Sequence, residues 1–241
     1  MNALWAAWGA AAGYVAGAAL RGTVFRLAVP GGHPDRTTCP RCSAPVRIWF
    51  LIRCECCGDR CGTPFALELV TGTVLALVLG RFGGQPDTPA FAYFGALGVT
   101  LSAIDIAVKR LPDRLTLPAY PILLALLAVP AVTQHDLGAL LRALLGGVAL
   151  TACYLLLAIS RPGGLGGGDV KLAGLVGLAL GWLGWPSLVA GAALGFVLSA
   201  AVSLALLAAR RITLRSSISF GPYLLGGALI AVLASGISPG G

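Results

Sequence analysis

Apolar residues along this chain come in long, nearly unbroken windows, with none of the regular alternation that gives a soluble helix or strand one wet face. Windows at roughly Leu4–Phe25, Pro64–Gly80, Pro89–Ile106, Leu115–Val132, Leu137–Ile159, Val170–Trp185, Ser187–Ala209 and Phe220–Ser235 approach the length that carries a helix across about 30 Å of hydrocarbon. Lipid offers no partner to backbone N–H and C=O groups, so helix is the form such windows must take. The pattern therefore predicts an all-α polytopic membrane protein with about eight transmembrane helices. The first window lacks a basic n-region and is followed by further spans, so it reads as a helix and not as a secretory signal.

Composition agrees. Of 241 residues, 57% are hydrophobic and only 11% charged, against roughly a quarter charged in soluble domains. The net charge of +8 reports topology and no nucleic-acid partner, because the cations fall on alternate loops. Arg26, Arg36, Arg41, Arg47, Arg53 and Arg60 share the first loop, Lys109, Arg110 and Arg114 another, Arg161 a third, and Arg210, Arg211 and Arg215 a fourth. The intervening loops hold mainly Arg81, with Arg142 just inside a span. By the positive-inside rule the basic loops are cytoplasmic and both termini lie outside. That parity also places Asp105, Asp113 and Asp169 at the cytoplasmic face.

One stretch breaks the apolar pattern. Between a first transmembrane helix (1–29) and the remaining spans (64–241), residues 30–63 form a polar, Cys-rich loop holding Cys39-Pro-Arg-Cys42, Cys54-Glu-Cys56-Cys57 and Cys61. Two CxxC pairs about a dozen residues apart suit a tetrahedral four-thiolate zinc site, Cys39, Cys42, Cys54 and Cys57. Cys56 and Cys61 offer alternative registers. A reducing cytoplasmic face disfavours the competing disulfide framework. A closed Cys₄ site leaves no open coordination position, so the metal is expected to be structural. Cys153, inside an apolar window, reads as a small core residue.

The remaining chemistry is acidic. Gly163 to Leu172 reads GGLGGGDVKL and sets Asp169 between a glycine-rich turn and an apolar run. An ionisable group at that boundary is costly enough to suggest function, and the first turn of a helix favours its charge. The segment lacks the Gly-Lys-Ser/Thr of a P-loop and the strand-borne Gly-x-Gly-x-x-Gly of a dinucleotide fold. Gly164, Gly166 and Gly168 are then expected to keep the approach to Asp169 open for a substrate backbone. Lys171 is free to snorkel to headgroups or meet an acidic partner.

Asp105 ends the apolar run Phe94 to Ile104 inside the membrane end of a helix, where an unpaired charge is expensive. Asp113, between Leu111-Pro112 and Arg114, reads as a turn or N-cap residue, and with Lys171 and the glycines is also a candidate for the substrate-binding or active-site loop. Two aspartates from different helices at one membrane face suit aspartyl proteolysis, one carboxyl holding a proton while the other activates water. With only His33 and His135 in the chain, a serine or cysteine triad finds no base. The alternative from another class is a transporter whose aspartates couple protons or cations beside a broken helix.

These residues resemble the type IV prepilin peptidases, intramembrane aspartyl proteases with a Gly-x-Gly-Asp motif. Gly164-Leu165-Gly166-Gly167-Gly168-Asp169-Val170-Lys171-Leu172 is similar to the family's second aspartate motif. Asp105 with Leu111-Pro112-Asp113 and Leu115-Thr116 is similar to its first, and Ser219-Phe220-Gly221-Pro222-Tyr223 to the Phe-Gly-Pro segment that opens its last span. The resemblance implies a peptidase of the bacterial inner membrane that removes the basic leader of prepilins or pseudopilins at the cytoplasmic face. Asp105 and Asp169 would be its dyad within the transmembrane peptidase domain 64–241. It also implies, in many members, N-methylation of the new terminus from S-adenosylmethionine. The chain departs from the family where Ala18-Ala19-Leu20-Arg21 replaces a Ser-Phe-Leu-Asn stretch, although Arg26-Leu27 and Pro30 remain. Arg21, about one turn from the end of the first span, is expected to snorkel.

Overall fold

The computed structural model describes residues 2–30, 33–45, 54–58, 65–160, 165–211, 213 and 219–235. Among them lie eight helices and no strand: α1 (Ala3–Leu27), α2 (Ala66–Phe82), α3 (Thr88–Val108), α4 (Asp113–Thr133), α5 (Leu137–Ser160), α6 (Gly167–Leu183), α7 (Trp185–Ala208) and α8 (Gly221–Ala234). Each coincides with one apolar window. Helices α1, α3, α4, α5 and α7 are long and apolar enough to cross a membrane, while α2 and α6 have 17 residues each and α8 has 14. Helix α4 keeps Pro118, Pro121 and Pro130 inside its length, which membrane helices tolerate when neighbours satisfy the freed backbone groups.

The chain forms two compact units, residues 1–88 with 92–110, and residues 89–91 with 111–241. In the first, α1 and α2 cross on glycines spaced four apart. A Cβ on Gly13 would lie 2.6 Å from the Thr71 carbonyl oxygen, and one on Gly17 2.6 Å from the Glu68 Cα. Lipid supplies no hydrophobic drive between helices, so close backbone approach through small residues is what holds them together. Gly17 therefore brings Glu68 close to α1. The Glu68 carboxylate pairs with the Arg21 guanidinium, and both residues are buried. The expectation that Arg21 snorkels is thus wrong, because a carboxylate on the neighbouring helix offers a nearer partner than the headgroups.

The second unit is organised around α6, which packs against α4, α5, α7 and α8. Every residue from Leu172 to Trp182 is buried, as expected of a helix that is apolar all round. Gly177 of α6 meets Gly146 of α5 backbone to backbone, and Gly181 faces Ala143 and the Arg142 carbonyl. Gly195 of α7 and Gly227 of α8 make the equivalent crossing between those two helices. Cys153, expected in the core, is exposed on α5. The buried stripe of α5 runs instead through Ala139, Ala143, Gly146, Gly147, Leu150 and Tyr154.

The cation within the α5 window has a structural task. Arg142 donates from Nε to the Gly181 carbonyl at 3.0 Å and from Nη2 to the Trp182 carbonyl at 2.9 Å. It thereby satisfies the last turn of α6 and meets the negative end of its dipole. Replacing Arg142 with methionine keeps most of the apolar stem and strips both bonds. The variant is expected to lose roughly 2–3 kcal/mol of stability, read as a lower melting temperature in detergent. An unchanged melting temperature would remove the cap from this account.

Candidate active site

Asp169 is the third residue of α6 and is half-buried. Gly166, the N-cap, is extended (φ −78°, ψ 149°). Its N–H donates to Asp169 Oδ2 at 3.1 Å, while the Asp169 N–H donates to the Gly166 carbonyl at 3.0 Å. This is the acidic half of a capping box, in which a side chain in the first turn reaches back to an otherwise orphaned donor. It gives the carboxylate a defined direction at the helix mouth.

The glycines of the turn have separate tasks. Around Gly167 a Cβ would meet nothing within 4 Å, and at Gly166 it would stand 3.4 Å from Asp169 Oδ2. At Gly168 it would lie 2.9 Å from Leu111 Cβ. Open approach therefore describes Gly166 and Gly167, whereas Gly168 is small because α6 packs on the residues that lead into α4. Gly164 lies outside the described residues.

Two polar contacts tie α4 to the first turns of α6. Lys171 Nζ donates to Asp113 Oδ1 at 2.6 Å, and the Tyr120 hydroxyl donates to the Lys171 carbonyl at 2.6 Å. Lys171 thus meets an acid of its own chain, in place of the headgroup or partner expected. Asp113 does not cap α4: the N-cap is Pro112, and Asp113 is the first helical residue. The pair is largely exposed, at 41% for Lys171 and 57% for Asp113, so it contributes on the order of 0.2–1 kcal/mol. Its main effect is orientation. Tyr120 was not among the residues singled out from the sequence, since an aromatic in an apolar window carries no signal of its partner.

Asp105 lies in the first unit, in the last turn of α3. It shares the buried side of that helix with Leu97, Leu101 and Ile104 and is only 4% exposed, whereas its neighbour Ile106 is 66% exposed. Lys109 ends the helix in a left-handed conformation (φ +52°), its N–H donating to the Asp105 carbonyl at 2.7 Å. The buried Thr100 lies on the same side of α3.

The cysteines converge as the spacing predicts. The Sγ atoms of Cys39, Cys42, Cys54 and Cys57 all lie within 4.8 Å of one another, with Cys39 to Cys57 at 3.7 Å and Cys42 to Cys54 at 3.5 Å. Four thiolates at the usual zinc–sulfur distance would be about 3.8 Å apart. Each CxxC knuckle is followed by a left-handed residue, Ser43 (φ +57°) and Gly58 (φ +67°). Backbone bonds from Ser43 N–H to the Cys39 carbonyl and from Gly58 N–H to the Cys54 carbonyl close the two turns. The N–H groups of Arg41 and Cys42 hold the Cys39 thiol down to about 6. Cys42 is also lowered by the Ala44 N–H, but burial and its bonds to Cys54, Cys57 and Cys39 outweigh this and push its thiol up. Thiols gathered this closely cannot all ionise unless a cation supplies the charge, so the cluster can bind a soft metal ion. Phe25 of α1 packs against the cluster and joins it to the first helix. Cys56 is exposed and outside the cluster; Cys61 is outside the described residues.

The helices define an all-α polytopic membrane protein, and comparison with known proteins gives its class. Residues 92–237 match the type IV leader peptidase family. A prepilin leader peptidase/N-methyltransferase of Burkholderia pseudomallei is 33% identical over 219 residues, covering 84% of this chain and 67% of that protein. One from Dickeya chrysanthemi is 32% identical over 236 residues, 87% of this chain and 80% of that protein. One from Neisseria gonorrhoeae is 30% identical over 209 residues, 79% and 68% of the two chains. No solved structure matches the chain. The chain belongs to the type IV leader peptidase family, a family of aspartic peptidases, and is a multi-pass inner-membrane enzyme.

Proposed function

We propose that this protein removes the basic leader of type IV prepilins or pseudopilins at the cytoplasmic face of the inner membrane, with Asp105 and Asp169 as its catalytic pair. The observation that carries the reading is Asp169 itself, half-buried at the open N-terminus of a buried helix with its carboxylate directed by the Gly166 N–H. The reaction requires both carboxyls within reach of one water. Sharing a single proton, the pair would deprotonate that water as it attacks the scissile carbonyl, then pass a proton to the departing amine. The proton belongs to the pair rather than to either residue. Gly166 and Gly167 leave room for the substrate backbone, and the Asp113–Lys171 and Tyr120–Lys171 contacts keep the start of α6 in place.

Zinc, held by Cys39, Cys42, Cys54 and Cys57, would brace the loop next to α1 and supply no reactive position. Cys39→Ser and Cys54→Ser are each expected to reduce zinc recovered with the purified protein at least about tenfold, because a closed tetrahedral site loses both a ligand and its knuckle. Elemental analysis checks this, and undiminished zinc would rule out the site.

The decisive assay is incubation of the purified full chain with a prepilin, with and without S-adenosylmethionine, followed by mass spectrometry. Loss of the leader mass supports the peptidase, and a further gain of one methyl group supports N-methylation. Intact prepilin together with proton- or cation-dependent uptake by reconstituted protein would favour a transporter instead.

A further inference from the structure

Tyr154 of α5 is 1% exposed, and its hydroxyl has no hydrogen-bond partner among the described residues. A buried hydroxyl left unpaired is costly, and such groups in native folds usually serve a purpose or wait for a partner. Its ring is held on two sides, by Phe196 of α7 at 5.5 Å between centroids and by Phe220, the N-cap of α8, at 5.9 Å. Phe196 and Phe220 in turn pack at 5.2 Å. The phenol is therefore clamped in place by aromatic packing that does nothing for its polar end.

Helix register shows where that end is. Arg142 lies beside Gly181, Gly146 beside Gly177, and Thr151 beside Gly174. These antiparallel pairs, extended by one more turn, carry Tyr154 to the level of residues Asp169 to Lys171. That level is the first turn of α6, which carries Asp169. Asp169 Oδ2 already accepts the Gly166 N–H, which leaves Oδ1 as an acceptor.

We infer that Tyr154 is a positioning residue for Asp169, its hydroxyl donating to the carboxylate when the site is engaged with substrate. The inference rests on the peptidase reading of Asp169 and deepens it. Gly166 would hold one oxygen from the turn while Tyr154 holds the other from α5, so that the carboxylate cannot rotate away from the water it must activate. The aromatic trio explains Phe220: the Phe-Gly-Pro segment that opens α8 serves, through ring packing, to aim the phenol.

Tyr154→Phe tests this in the full chain, because it deletes one oxygen and leaves the ring packing intact. With a prepilin as substrate, kcat is expected to fall about tenfold while KM stays within about twofold, the signature of lost positioning without lost binding. Difference infrared spectra of the substrate-bound protein give a second readout. The carboxyl band that disappears in Asp169→Asn should shift in Tyr154→Phe. Wild-type kcat with an unmoved band would overturn the inference. A shifted band alongside an Asp169→Asn variant that still cleaves would keep the hydrogen bond and overturn instead the catalytic assignment of Asp169.

Discussion

Asp169→Asn is expected to lower the rate of prepilin cleavage by at least about a thousandfold with little change in stability, and Asp105→Asn to do the same. Positioned acid–base groups contribute roughly 10²–10⁴-fold each, and a carboxyl pair that shares one proton loses both functions when either member becomes an amide. Folding should survive because asparagine is the same shape. At position 169 its Oδ1 can still accept the Gly166 N–H, so the capping contact weakens by no more than about 1 kcal/mol. At position 105 the amide keeps the shape of the buried side chain that packs beside Leu97, Leu101 and Ile104. Single-turnover cleavage with a matched melting curve is the measurement. Wild-type rates from either variant would eliminate that residue from the dyad.

The largest effect on stability is expected from Glu68→Ala. Removing the carboxylate leaves the Arg21 guanidinium buried and unpaired, which costs on the order of 3–5 kcal/mol. Deleting both members is a different matter. The pair is imperfectly satisfied, since Arg21 Nε and Glu68 Oε2 have no hydrogen-bond partner among the described residues. A buried ion pair of that kind often contributes no more than well-packed apolar residues in its place. The double variant Arg21→Leu/Glu68→Leu should therefore recover most or all of the stability lost in Glu68→Ala. Unfolding measured across wild type, Arg21→Leu, Glu68→Leu and the double variant isolates the pairwise term. A loss in the double variant equal to the sum of the losses in Arg21→Leu and Glu68→Leu would show that each residue acts independently. The pair lies where Ala18-Ala19-Leu20-Arg21 departs from the family's pattern, so the methylation assay is informative in the same variants.

Much of this was legible in the chain. The eight windows became eight helices because in lipid every backbone group must bond within its own segment, and length plus apolarity is then nearly sufficient. The cysteine cluster was readable because two tight knuckles need only local geometry. Asp169 was readable because glycines preceding a charged residue at an apolar boundary form a local pattern.

What sequence could not provide was the partner of each polar side chain. Arg21 and Glu68 are 47 positions apart, Lys171 and Asp113 are 58, and Arg142 and Gly181 are 39. Each stood out as a charge, or failed to, without any sign of what it would meet. Glu68 was missed although it is an acid in the second apolar window, and a search for opposite charges in neighbouring windows would have found it. The windows alone determined that the chain is a helical membrane protein. Only tertiary packing decided which small residues let helices touch, which charges were neutralised, and which carboxylate contacts hold Asp169. Helix formation in lipid is a local requirement, whereas pairing depends on register between helices, and register exists only after they have packed.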